Sequence, residues 1–349
     1  MKWGGKADPP HFFFIHTDMT ELEEIKFYSE HYQDYSPKCP IVIPSYQNRE
    51  GTILKDLKSL SDNKIMLFIY DTDYPKYKQY EDNQVEIVQI PEKWRSIQRK
   101  RHWIQVYLAN NRPEIENYIM IDDDIKKAKI RCFKENGSVT SKYIPVKNAF
   151  GILEEVHKKY SNTISGGAGA NTNILSDKLV KNTYFYQTFC FNNKWVKDHP
   201  QCMFRDLQNV SEDNVIWYDC WCNEQKYYSF EFLYFEFNNQ RSKAYSSIAS
   251  TSTNVMKNNI NALRIIKQNC KVHWSNEWNC WGIRFVPNYY EKLWPQLKII
   301  LDENMPGWDD LSVTFDDKTY QKVFTRINND FESILNKKAS VSSISDFFE

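Results

Sequence analysis

Four short apolar runs between residues 41 and 124, each cut off by a proline or an acidic cluster, constrain the fold of this chain most strongly. Ile41-Val42-Ile43 ends at Pro44-Ser45-Tyr46-Gln47-Asn48-Arg49, and Ile65–Tyr70 ends at Asp71-Thr72-Asp73-Tyr74-Pro75. Val85–Ile90 stops at Pro91, and Tyr118–Ile121 runs straight into Asp122-Asp123-Asp124. Such runs read as buried strands with a loop at the carboxyl end. Between them, Ile53, Leu54, Leu57 and Leu60 carry helical spacing within Thr52–Leu60, and Lys93–Asn110 reads as a helix. Strands alternating with helices predict βα units and a largely parallel sheet. Ligands of such sheets sit at the carboxyl ends of the strands. The loops after Pro44, after Tyr70 and after Ile121 therefore mark a candidate site.

The second half has another texture. Ile164-Ser165-Gly166-Gly167-Ala168-Gly169-Ala170-Asn171 reads as a flexible small-residue loop, followed by strand-like aromatic segments at Tyr184–Phe191 and Tyr227–Phe237. Between these lies Val210-Ser211-Glu212-Asp213-Asn214-Val215-Ile216-Trp217, and near the end come Val272-His273-Trp274 and Trp278–Phe285. The Ser-rich stretch Ala339–Glu349 is expected to be loosely ordered.

Composition narrows the function. The 349 residues suit one large domain or two fused lobes, and 41% hydrophobic with 26% charged residues is ordinary globular usage. No apolar run approaches the ~20 residues of a transmembrane helix, and the N-terminal stretch lacks the apolar region of a signal peptide. No membrane partner is expected, and the protein is expected to remain in the cytoplasm where it is made. With 45 basic and 45 acidic residues there is no overall basic coat for nucleic acid, although a local basic groove stays open. The eight cysteines include no Cys-x-x-Cys and read as reduced, mostly buried thiols.

Asp122-Asp123-Asp124 carries the sharpest chemistry. Alternate residues of an extended segment point the same way, so Asp122 and Asp124 present two carboxylates to one spot while Asp123 faces elsewhere. Like charges stacked at a strand end call for a cation, and a hard divalent ion with oxygen ligands, Mg²⁺ or Mn²⁺, keeps open positions for phosphate oxygens. Clamping a diphosphate leaving group is the work such a site does best. The plainer alternative is a solvated acidic turn.

Taken together, Ile41-Val42-Ile43-Pro44-Ser45-Tyr46-x-x-Arg49, the Asp71 loop, the Arg-rich helix, the run into Asp122-Asp123-Asp124 and, farther on, Ser211-Glu212-Asp213 resemble a GT-A glycosyltransferase over roughly residues 38–285. The resemblance implies an α/β fold: a Rossmann-like, mostly parallel central sheet flanked by helices, with a mixed acceptor-binding second half. It implies an N-terminal extension (1–36), a nucleotide-sugar half (37–160), an acceptor and catalytic half (161–300) and a C-terminal helical segment with a tail (301–349). Pro44, Ser45, Tyr46 and Arg49 would border the nucleoside of a UDP-sugar, Asp71 would bind the base edge, and Asp122 and Asp123 would line the donor. Asp124, with Asp122, would hold Mn²⁺ or Mg²⁺, and His273 would be a late metal or phosphate ligand. Asp213, with Glu212 beside it, would take the acceptor proton in an inverting transfer.

The chain departs from the family pattern in two places. Asp71-Thr72-Asp73 replaces the usual tight Asp-Gly-Ser turn, and Lys93, Arg95, Arg99, Lys100 and Arg101 crowd the helix where Ala-Arg-Asn is common. Arg95 and Arg99, spaced i,i+4, are expected to share a face toward the diphosphate, with a solvated basic face as the alternative. The basic clusters Lys93–Arg101 and Lys126–Arg131, with the aromatic second half, suit an acceptor carrying phosphates and planar bases. The layout is similar to soluble transferases of oxidised-pyrimidine pathways, some phage-borne, which decorate hydroxymethylated bases in DNA. A protein or glycan acceptor, a nucleotidyltransferase and a non-catalytic binding module are the rivals. Ser45–Gly51 lacks the Gly-rich loop with Arg and Lys that a nucleotidyltransferase needs.

Overall fold

The computed structural model describes residues 19–45, 53–169, 179–183, 185, 187–237, 252–275 and 280–341. Helix α1 (Glu21–Glu30) starts from a capping box in which Thr20 and Glu23 satisfy each other's backbone N–H groups. The first half then runs β1 (Ile41–Pro44), β2 (Ile65–Tyr70), α2 (Tyr74–Tyr77), β3 (Val85–Ile90), α3 (Ile97–Asn111), β4 (Asn117–Ile121), β5 (Ile125–Phe133), β6 (Val139–Ile144) and α4 (Val146–Val156). The second half runs β7 (Ile164–Gly169), β8 (Val180–Asn182), β9 (Thr188–Asn192), α5 (Asn193–Asp198), α6 (Glu212–Cys222), β10 (Tyr228–Phe237), α7 (Ser252–Ile266), β11 (Cys270–Ser275), β12 (Cys280–Phe285), α8 (Trp294–Asn304) and α9 (Asp317–Val341).

Among the described residues ten strands form one sheet in the order β3-β2-β1-β4-β9-β7-β10-β5-β6, with β8 beside β10. β3, β2, β1 and β4 are mutually parallel, as the alternating units predict. From β9 onward the sheet is mixed: β9 is antiparallel to both β4 and β7, while β10 runs parallel to β7 and antiparallel to β5. Helices cover both faces, so the inner parallel strands β1 and β2 are apolar and buried along their whole length. Val42, Met66, Phe68, Tyr118 and Met120 face one core, with Ile104 and Leu108 of α3 and Val215, Ile216 and Trp217 of α6. Ile41, Ile43, Ile65, Leu67, Ile119 and Ile121 face the other, with Ile25 of α1 and Phe150 and Leu153 of α4. No described helix is long and apolar enough to cross a membrane.

Three local expectations are corrected. Residues 164–169 form strand β7 inside the sheet, where a side chain at Gly166 would run into the Phe185 ring and the Thr188 carbonyl. The glycines serve close backbone approach there, and the segment is no loop. Ile53–Leu60 is a 3₁₀ stretch kinked at Asp56 rather than a regular helix. Residues 339–341, expected to be loose, complete α9, and 342–349 lie outside the described residues. None of the eight cysteines forms a disulfide; six are buried, Cys132 is half-buried and Cys222 exposed.

Candidate functional site

The strand order 3-2-1-4 reverses between β1 and β4, and the crevice beyond the carboxyl ends at such a reversal is where doubly wound sheets bind ligands. Ser45 leaves β1 at this point, its N–H donating to the Phe68 carbonyl of β2 at 3.0 Å. The Ser45 hydroxyl donates to Asp123 Oδ2 at 2.9 Å and lies 2.8 Å from the buried Tyr77 hydroxyl of α2. Lys100 of α3 caps the same turn: its Nζ donates to the Ser45 carbonyl at 2.6 Å and sits 3.9 Å from the centre of the Tyr70 ring. The ends of β1, β2 and β4 are thus tied together by buried polar groups.

The centre of the site is Arg101. It is only 2% exposed. Its Nη2 donates to Asp122 Oδ1 at 2.6 Å, and its Nη1 donates to Glu212 Oε1 and Asp213 Oδ1, both at 3.0 Å. Phe189 and Phe204 place their rings 5.2 and 5.3 Å from the guanidinium carbon. Glu212 and Asp213 open helix α6, whose N-terminal N–H groups favour negative charge. Gln98 of α3 braces the approach, its Nε2 donating to the Val210 carbonyl at 2.8 Å and to Glu212 at 3.4 Å.

Three half-buried carboxylates share one buried guanidinium. Burial raises the pKa of Asp213 well above the usual carboxylate range, and the charge of Glu212 adds to this, against the pull of Arg101. Burial also raises Glu212, again opposed by Arg101. Arg101 keeps its charge: burial works against it, and Asp122, Asp213 and Glu212 more than compensate.

The residues singled out in the sequence divide as follows. Ser45, Asp122, Asp123, Glu212 and Asp213 are drawn together, with Pro44 ending β1 and Asp124 following on the Asp122–Asp123 turn. Asp123, expected to face away from the chemistry, turns inward onto Ser45. Asp71 lies exposed at the end of β2, its carboxylate accepting the Thr72 N–H at 2.8 Å. Arg95 and Arg99 do not share a helical face, because Arg95 precedes α3, whose N-cap is Ser96. Arg95 pairs with Glu92 at 3.0 Å and Arg99 with Asp206 at 2.7 Å. His273 stands exposed on β11, in a separate two-stranded sheet with β12, its ring over Gly282. Tyr46 and Arg49 lie outside the described residues.

Sequence reasoning passed over Arg101, Lys100, Tyr77 and Gln98 as individual site residues. A signal for Arg101 exists. Ile97, Arg101, Ile104 and Leu108 follow the i, i+4, i+7, i+11 spacing of a buried helix stripe, and a charge on such a stripe must find partners.

An oxygen-only pair, Asp122 and Asp124, suits a hard divalent cation. Among the described residues no group of three or more His, Cys, Asp or Glu side chains is placed to hold a metal, so phosphate oxygens or water would complete such a shell.

No protein-family model matches the chain, and no curated protein matches it. Among solved structures it is similar to GalNAc-T7 crystallised with UDP, GalNAc and Mn²⁺, at 10% identity and a TM-score of 0.44, covering 85% of this chain and 55% of that one. It is also similar to 4-diphosphocytidyl-2C-methyl-D-erythritol synthase from Anaerococcus prevotii DSM 20548, at 13% identity and a TM-score of 0.36, covering 69% of this chain and 98% of that one. The chain thus spans little more than half the length of the GalNAc-T7 chain.

Proposed function

We propose that this chain is a glycosyltransferase that moves a sugar from a nucleoside diphosphate sugar, a UDP-sugar, to an acceptor hydroxyl, with Mn²⁺ or Mg²⁺ held by Asp122 and Asp124. One observation supports this reading above the others. Arg101 joins Asp122, at the strand end where a donor would lie, to Glu212 and Asp213 on a separate element where an acceptor would approach. A site that breaks a bond to a diphosphate and deprotonates an incoming hydroxyl needs acidic groups on both sides.

In this reading the bound cation neutralises charge developing on the departing diphosphate. Pro44 and the backbone at Ser45 border the nucleoside. Asp123 fixes Ser45, and so fixes the turn the nucleoside rests on. Asp213 takes the acceptor proton from the face opposite the leaving group, giving inversion. Its raised pKa makes it, once deprotonated, a stronger base than an ordinary carboxylate. His273 of β11 would serve as a late phosphate or metal contact.

For the acceptor, a hydroxymethylated pyrimidine of DNA fits the basic strand β5. Lys127 and Lys129 each bring Nζ to 4.7 Å from the Tyr143 ring, which is 55% exposed. An exposed ring beside cations is a surface on which a base or a phosphate can rest, with Glu236 pairing Lys129 and accepting from the Tyr143 hydroxyl at its edge.

The test is a donor screen of UDP-sugars with Mn²⁺ or Mg²⁺, read as UDP release with DNA duplexes with and without 5-hydroxymethylpyrimidine, and with protein and glycan acceptors. Release that disappears in Asp124→Ala supports the reading. Binding of UDP-sugar without transfer to any acceptor would make the chain a binding module. Transfer to a protein or glycan alone would remove DNA as the acceptor.

A further inference from the structure

We propose that Arg101 is a resident counter-cation of the donor site: in the absence of donor its guanidinium occupies the Asp122 carboxylate, and a divalent cation must displace it to bind there. This rests on the reading of Asp122 as a metal ligand.

The geometry of the guanidinium carries the inference. Its two ends serve different sides of the crevice. Nη1 is shared by Glu212 and Asp213 at the head of α6, and Nη2 is committed to Asp122 at the end of β4. The Asp122 contact is the shortest of the three, at 2.6 Å. The Phe189 and Phe204 rings flank the buried guanidinium and its carboxylate partners are half-buried, so the attraction is screened less than on an open surface. A divalent cation on the same carboxylate would stand within a few ångströms of a fixed positive charge, and in this setting the repulsion is strong. An anionic diphosphate arriving with the cation relieves that repulsion, because the released Nη2 N–H groups can turn to its oxygens. The site therefore favours cation and diphosphate together over cation alone. Removing the guanidinium should have the opposite effect from the loss of a merely supporting residue. Asp122 loses the competitor for its carboxylate, so metal affinity rises.

The experiment is titration of Mn²⁺ alone, followed by electron paramagnetic resonance, on the full chain and its R101Q and R101K variants, with far-UV circular dichroism to verify the fold. R101Q is expected to bind Mn²⁺ about ten-fold tighter than the parent, while R101K, which keeps the charge, stays close to it. Parent-like or weaker binding by a folded R101Q overturns the inference while leaving the metal-dependent reading standing. Absence of Mn²⁺ binding by both proteins overturns both. Should R101Q fail to fold, nitrogen-15 resonances of the arginine side chains in the parent decide the matter. Displacement requires the Arg101 guanidinium signals to move as Mg²⁺ binds, and binding that leaves them unmoved refutes the proposal.

Discussion

Asp213 combines three conditions that pull in different directions. Burial and the neighbouring charge of Glu212 hold its carboxyl protonated to unusually high pH, while Arg101 at 3.0 Å favours the anion. In the proposed role of base, Asp213 is active only once it has lost its proton. Turnover is therefore expected to rise with pH along an acid limb whose midpoint lies well above the ordinary aspartate value. Asp213→Asn should lower kcat by about 10²–10⁴ and abolish that limb, with donor KM little changed. A variant with parental kcat and an intact limb would remove Asp213 from the role. The stability consequence has the opposite sign. A carboxyl whose folded pKa is raised stabilises the fold at low pH, and that contribution is lost as pH rises through the folded pKa. Relative to the parent, Asp213→Asn should therefore gain stability as pH rises above the ordinary aspartate value, measurable as a melting difference that grows with pH until the folded pKa is passed. At this scale the acidic groups were legible in the sequence because they sit next to strand or helix ends. Arg101 was not singled out, because its side chain lies among a run of basic residues and only the helical register separates it from Arg99 on the surface.

Elements set where such residues can stand, and β7 shows how an element escapes a sequence reading. Ser165-Gly166-Gly167-Ala168-Gly169 has the composition of a loop, since small residues carry no apolar pattern to mark a strand. The segment is a strand because β9 and β10 supply its ladder from either side, and because side chains such as Phe185 and Phe235 fill the space above the glycines. The turn that delivers it is equally specific. α4 closes in a π-helical turn, His157–Ser161, and Asn162 takes a left-handed conformation at φ 49°. His157 at its head is fully buried, its Nδ1 2.8 Å from the Ser165 hydroxyl, so the chain end of the helix is pinned to the start of β7. Burial drives the His157 pKa down to about 3, with Lys158 assisting. The unfolded chain takes up this proton near pH 6.5 and the folded one near 3, so stability is complete above 6.5 and declines as pH falls toward 3. His157→Gln removes that linkage. The variant should be less stable than the parent at pH 7, and the gap should narrow on acidification, as read from urea unfolding at pH 7 and pH 4.5. A gap independent of pH would mean that His157 is not held neutral in the fold.

At the scale of the whole molecule, the parallel strands β3, β2, β1 and β4 were readable because each is a self-contained apolar run beside a helix. The insertion of β9 between β4 and β7, and the placing of β10 between β7 and β5, were not. Those pairings join residues far apart in the chain, and their register is decided by which faces the two cores bury. The same long-range logic reaches the site through α6. The β11–β12 hairpin packs against α9 through Trp281 and Phe324, whose rings lie 5.5 Å apart, and β12 meets α6 through Phe285, stacked edge-on to Trp217 at 4.9 Å. Asn214, the residue after Asp213, links the two directly. Its Oδ1 accepts the Phe285 N–H at 3.1 Å and its Nδ2 donates to Ser211 Oγ at 2.8 Å, at the N-cap of α6. The β11–β12 hairpin thus helps set where Glu212 and Asp213 stand relative to Arg101. Asn214→Ala leaves a buried N–H on β12 without its acceptor and is expected to cost about 1–3 kcal/mol of stability. If α6 is positioned in this way, kcat should fall while KM for the donor holds, because the proposed donor side of the crevice, at β1 and β4, is untouched. Asn214→Asp keeps an acceptor for the Phe285 N–H and should restore part of the loss. A fall in donor affinity with kcat preserved would place the influence of the hairpin on the strand ends instead.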